Sequence, residues 1–263
     1  MKKTLICFMV VMVVFVSGCS TVPITGRKQV NLVSDAQLIP QSAANYNEVI
    51  QEGPLAENRQ QAQMIQRVGV GISAAVERYF KERGQSEVLD GFEWEFNLIE
   101  EDTPNAWCMP GGKVAFYTGI LPYTQDEAGV AVVMGHEIAH AVARHSNERI
   151  SHQLLQQGGG YLASWLGNKT DYHDAIMQAY GIGTQIGAIL PYSREHESEA
   201  DRMGLIFMAM AGYNPEAAVG FWQRMAAAGG QKPPEFLSTH PSDETRVREL
   251  REHMPEALRY YSP

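Results

Sequence analysis

Cysteine is scarce, with three in 263 residues, so no disulfide framework carries the fold. Positive charge is in deficit as well. The 21 Lys and Arg residues stand against 30 Asp and Glu, for a formal net charge of −9, and the basic footprint that binds nucleic-acid phosphates is absent. Also missing is a run of about 20 apolar residues, the length that spans a bilayer. The longest run, Leu5 to Val16, has 12, and no internal repeat is visible. What remains is 44% hydrophobic and 19% charged residues, a composition that builds a folded core. The length suits one large domain or two small ones and buries most of the chain without cross-links.

The apolar run follows Lys2 and Lys3 and ends in Val16-Ser17-Gly18-Cys19. This is the layout of a signal peptide, and its end resembles the bacterial lipobox, which implies cleavage before Cys19 and a lipid on Cys19. Ser20 follows, not Asp, which implies an outer-membrane destination on the periplasmic face. Loss of residues 1–18 leaves 245 residues and, with two lysines gone and no acids, a net charge of −11. Cys7 is then discarded, Cys19 bears lipid, and Cys108 is expected as a small buried apolar residue. Residues 19–54 read as a lipidated tether and N-terminal packing segment, and 55–263 as one domain.

Within that domain Ile65, Val68, Ile72, Val76 and Phe80 predict an amphipathic helix that stops at Gly84. Phe92, Trp94, Phe96 and Leu98 alternate with polar residues and predict a half-buried strand. Lys113 to Thr118 predicts a second strand after the turn Pro110-Gly111-Gly112. Thr124 and Glu127 have capping-box spacing, so a helix is expected from near Gln125 to about Ile150. Residues 151–191, with Gly158-Gly159-Gly160, are expected as helical pieces with mobile joints that gate a cleft. Further helices are expected over 194–210, from Asn214-Pro215, and over 242–254. The sum is an α+β, mostly helical chain with one small sheet.

His136-Glu137-Ile138-Ala139-His140 matches H-E-x-x-H. Residues four apart share a helix face, so both imidazoles reach one metal ion, and Glu137 stands beside it as a general base. This composition yields the pattern by chance about 0.02 times in such a chain, so the match is a signal and not background. Zinc suits two imidazoles plus one carboxylate, with a fourth position for water. The third ligand is expected from Ser193 to Asp201, which offers Glu195, His196, Glu197 and Glu199. Glu197 and Asp201 share a helix face, one to bind the ion and the other to orient an imidazole. Glu195 with Glu199 has the same spacing. His145, His152, His173, His196 and His253 have no spacing partner and read as surface or satisfied polar residues.

The H-E-x-x-H motif followed by Glu197-Ser198-Glu199-Ala200-Asp201 resembles the HtpX-like/CAAX-protease-type zinc metallopeptidase family. Asn105-Ala106 with Pro110-Gly111-Gly112, and Thr239-His240-Pro241-Ser242, are similar to the same family. Pro23-Ile24-Thr25-Gly26-Arg27 and the leader point to its periplasmic lipoprotein branch (LoiP/BepA-like), here without the tetratricopeptide domain. The resemblance implies a gluzincin-type core with a small mixed sheet and an active-site helix carrying the motif. His136, His140 and Glu197 are its implied ligands for one Zn²⁺. Glu137 is the implied base, Asp201 the orienting carboxylate, and His240 either an oxyanion donor or a cap on the zinc at rest. Gly112, Lys113, Val114 and Ala115 are expected to offer an edge on which substrate adds as a strand. The implied activity is endoproteolysis of misfolded or stalled envelope proteins, with the outer-membrane assembly machinery as a partner. The competing expectation is an assembly or chaperone factor in which cleavage is secondary.

Overall fold

The computed structural model describes residues 19–156, 193–228, 235–240 and 244–262. The leader 1–18, the glycines Gly158 to Gly160 with most of the expected gate, and the expected helix start at Ser242 lie outside these residues.

The stretch expected as a lipidated tether and N-terminal packing segment forms two strands and a helix. Strands β1 (Cys19–Thr21) and β2 (Lys28–Val30) pair antiparallel, Cys19 opposite Val30. Helix α1 (Asp35–Glu52) follows, and its buried Tyr46 donates from its hydroxyl to the Val114 carbonyl at 2.9 Å. Pro40 interrupts the apolar pattern of α1, which is why its sequence does not announce a helix.

Helix α2 (Arg59–Glu82) starts on the Asn58 side chain, which accepts from the amides of Gln60 and Gln61. Its buried stripe, Ile65, Val68, Ile72, Val76 and Phe80, is the one the spacing predicts. Opposite it runs a three-stranded sheet of β3 (Glu95–Ile99), β4 (Ala106–Met109) and β5 (Lys113–Tyr117), in the order β3-β5-β4. β5 is parallel to β3 and antiparallel to β4. All four β4 side chains are buried, so that strand lacks the alternation that would reveal it. Cys108 is one of them and is free. The order also corrects an expectation. The strand that begins after Gly112 and runs through Lys113, Val114 and Ala115 is the centre of the sheet, so both its sides are taken and no peptide adds to it. The strand that packs against the long helix of residues 127–142 is β4, buried at all four positions.

A short helix α3 (Leu121–Thr124) precedes the long one. Thr124 closes α3, its hydroxyl donating to the Leu121 carbonyl, and Gln125 turns the chain at φ +68°. The cap of the long helix α4 (Glu127–Val142) is therefore Asp126, which accepts from the Gly129 amide at 2.8 Å. α4 does not run on to Ile150. Arg144, at φ +60°, breaks the backbone and α5 (His145–Gln156) departs in a new direction. Helices α6 (Arg194–Met210), α7 (Ala217–Ala228), α8 (Glu235–Thr239) and α9 (Glu244–Ala257) complete the described fold. None of the described helices is long and apolar enough to cross a membrane. Met203 and Met208 are buried in the core.

α4 and α6 cross at Gly135 and Gly204. A methyl on either would lie 2.9 Å from backbone of the other helix, at the Gly204 carbonyl oxygen or the His136 amide nitrogen. Glycine here trades helix propensity for close approach. Alanine at an unhindered helix site gains about 1 kcal/mol over glycine. Gly204→Ala is instead expected to lose about 1–3 kcal/mol, as overpacked cores do. Urea unfolding of the two proteins decides the sign, and a gain would show that the crossing has slack.

Candidate metal centre

α4 is buried all round from Gly129 to Val142, so His136, Glu137 and His140 enter the site from the middle of a fixed helix. α6, held against α4 at the glycine crossing, brings Glu197 and Asp201. His240 follows α8, its amide bonded to the Phe236 carbonyl at 2.9 Å. The Phe236 amide in turn donates to Pro104, just before β4. Donor atoms of His136, His140, Glu197 and His240, all four residues buried, lie within 4.8 Å of one another.

The spacing within that cluster is informative. His136 Nε2 is 3.0 Å from His140 Nε2 and 3.2 Å from His240 Nδ1. Glu197 Oε1 is 3.3 Å from His140 Nε2 and 3.1 Å from His240 Nδ1, and its Oε2 is 3.5 Å from His136 Nε2. Ligands on a tetrahedral zinc with bonds of about 2.0 Å stand about 3.3 Å apart. The five separations thus match the ligand spacing of a tetrahedral zinc site. Glu137 is outside it, its Oε1 buried without a hydrogen bond and 3.3 Å from His240 Nε2.

The other ring nitrogens are also engaged, as ligating histidines require. His136 Nδ1 faces Asp201 Oδ1 at 3.0 Å, the role expected of Asp201. His140 Nδ1 meets His145 Nδ1 at 2.9 Å, and His145 Nε2 meets Glu199 Oε2 at 3.2 Å. Arg246 was not foreseen. It is buried on α9, donates from Nε and Nη2 to Asp201 at 2.8 Å and from Nη1 to Glu197 at 2.6 Å, and lies 3.3 Å over the Trp222 ring. Its sequence neighbourhood is a polar helix, and nothing there marks one arginine as buried.

The electrostatics call for a cation. Burial opposes charge on His136, yet the Asp201 and Glu197 carboxylates outweigh it and lift its pKa to about 9. Burial pushes Glu137 up to about 8, against the pull of His136. His140 is driven well below its usual value by burial and by His136, and burial takes His240 and His145 to about 4. Burial works against the charge on Glu197, but His240 and Arg246 hold its carboxyl well below the usual range. Among the described residues, Arg246 is the fixed positive charge that faces the carboxylates of Glu197 and Asp201. A dication held by these donors would supply positive charge to Glu197 in place of the proton on His136. Donor chemistry, spacing and charge all fit zinc.

Of the other candidates, Glu195 is exposed, its side chain 67% accessible, and lies away from the cluster. Glu199 and His196 are buried but bond to Thr25, Arg27, His145 and Glu148 instead. His145 and His196 are thus hydrogen-bonded residues of the interior, and His152 is exposed. His173 lies outside the described residues.

The sequence model of peptidase family M48 matches residues 70–254. Mitochondrial metalloendopeptidase OMA1 of Schizosaccharomyces pombe is 40% identical over 188 residues, 71% of this chain and 53% of that protein. OMA1 of Saccharomyces cerevisiae is 32% identical over 182 residues, 66% of this chain and 51% of that protein. The putative beta-barrel assembly-enhancing protease of Vibrio cholerae is 33% identical over 176 residues, 64% and 35% respectively. The chain thus spans about half or less of the length of these relatives. Their names divide between a mitochondrial and a bacterial setting, so the resemblance to the periplasmic branch narrows to the peptidase family itself.

Proposed function

The chain belongs to peptidase family M48, and from that premise we propose that it is a zinc-dependent endopeptidase of the bacterial envelope. The observation that carries the reading is the buried four-residue donor set with Glu137 beside it. His136, His140 and Glu197 would hold the ion. Zinc bound there acts as a Lewis acid that polarises a peptide carbonyl and acidifies water. Glu137, buried and free of hydrogen bonds at Oε1, accepts the proton of the attacking water and returns it to the leaving amine. Asp201 fixes the His136 ring. Arg246 holds Glu197 through Oε2, which leaves Oε1 turned to the centre.

His240 is the resting cap. Its Nδ1 fills the fourth place of the donor set and its Nε2 approaches Glu137, so water and substrate are kept out until the segment that bears it moves. A cap and an oxyanion donor differ in sign. His240→Ala is expected to raise cleavage of an unfolded protein several-fold. Loss of an oxyanion donor would lower it by about 10²–10³. Steady-state rates on casein separate the two.

The leader layout and Cys19 support an outer-membrane lipoprotein facing the periplasm, acting on misfolded or stalled envelope proteins. The name of the Vibrio relative supports a second reading, in which the chain promotes barrel assembly and cleavage is secondary. The test of the activity is direct. Purified protein should cleave casein, lose the activity to a chelator, regain it with zinc, and leave purified peptidoglycan intact. Chelator-resistant cleavage would sink the zinc reading.

A further inference from the structure

We propose that the turn Pro23 to Arg27 is a positioning element of the metal centre, acting on His140 through Glu199 and His145. The proposal rests on the reading that His140 is a zinc ligand. His140 turns Nε2 to the donor set, so a neutral ring carries its proton on Nδ1. That proton is donated to His145 Nδ1 at 2.9 Å. His145 then carries its own proton on Nε2 and donates it to Glu199 Oε2 at 3.2 Å. The two tautomers and both ring planes are set by one carboxylate.

That carboxylate is held from the N-terminal turn. Arg27 Nε donates to Glu199 Oε2 at 2.7 Å, and the Thr25 hydroxyl donates to Glu199 Oε1. The other face of the Arg27 guanidinium takes Glu148 on α5, Nη1 to Oε1 at 2.9 Å and Nη2 to Oε2 at 2.7 Å. Glu148 Oε2 accepts from His196 Nε2 at 2.9 Å, and the His196 ring stacks on His145 at 4.4 Å. One arginine therefore joins α5 to α6 around His145. The turn is itself tightly made. Val22 N–H donates to the Arg27 carbonyl at 2.8 Å, and Gly26 N–H to the Val22 carbonyl at 3.0 Å. Ile24 stands at φ +69°, a conformation a β-branched residue keeps only where its surroundings enforce it. Orienting partners of this kind change metal affinity about 10–100-fold when removed.

The test compares zinc affinity by chelator competition, and the visible spectrum of the Co²⁺ form, across variants of the whole chain. His145→Leu is expected to weaken zinc binding about 10–100-fold and to shift the Co²⁺ bands. His145→Asn, which keeps an acceptor near the Nδ1 position, recovers most of the affinity. Arg27→Met weakens binding by about 10-fold, the low end of the same range. Arg202→Met, which removes the Arg202–Glu256 pair elsewhere on α6, leaves both readouts at wild type, since lost stability alone does not move the Co²⁺ bands. Wild-type affinity and spectrum in Arg27→Met overturn the role of the turn, and the same result in His145→Leu overturns the whole relay. If His145→Leu does not fold, the Asn and Arg27→Met variants carry the comparison. His140→Ala and Glu197→Ala run alongside. If they too keep zinc, the ligand assignment has failed and not merely the relay.

Discussion

Glu137→Gln is expected to keep one zinc per chain and to lose about 10²–10⁴-fold in peptide cleavage, the usual contribution of a positioned general base. Gln has the same shape and fills the same buried place, but its amide accepts no proton from water. Glu137 is not among the four donors, so metal content should not change. Elemental analysis and casein cleavage on one preparation test both halves. Cleavage within a few-fold of wild type would remove Glu137 as the base. Rescue of an envelope defect by the inactive variant would favour the assembly reading over proteolysis.

Arg246→Met is expected to cost about 3–5 kcal/mol of stability in the metal-free protein, the range seen when one partner of a buried ion pair is removed. The methionine replaces much of the volume over Trp222 and adapts to it. What it cannot replace is the charge. Glu197 and Asp201, both buried, lose their shared hydrogen-bond donor. Zinc offsets part of this because it supplies positive charge to Glu197, so the deficit should shrink when the metal is added. Urea unfolding with and without zinc measures both values. A loss near the 0–1 kcal/mol of an exposed pair, equal in the two conditions, would show that Arg246 does not hold the site together.

The periodic parts of the chain were open to reading. α2 declared itself through Ile65 to Phe80, because one stripe of a helix faces the core and the rest faces water. β3 did so through the alternation at Phe96 and Leu98. Where burial is complete on every side, no period survives, which hid β4. Which strand is central is invisible too, since β5 becomes so only when β3 and β4 pair on either side of it. That pairing removed the expected substrate edge at Lys113–Ala115.

His145 shows the limit most clearly. On the unbroken helix that the spacing predicts, it lies five residues past His140, roughly 140° round the axis at 3.6 residues per turn, and faces away. The left-handed Arg144 turns the chain so that His145 returns to the His140 ring. Nothing in the residue order of Ala143-Arg144-His145 requires that turn.

The sequence by itself determined the chemistry on offer: two imidazoles and a glutamate at helical spacing, and a carboxylate pair four apart. These follow from covalent order and helix geometry, which act over a turn or two of chain. The tertiary structure alone decided how that chemistry is held. It brought His240 to the donors of His136, His140 and Glu197, buried Arg246 between Glu197 and Asp201, and brought Arg27 across the chain to Glu148 and Glu199. Charges at such sequence distances meet only when the core closes around them, and the core closes because apolar surface leaves water, a force that carries no address in any single motif.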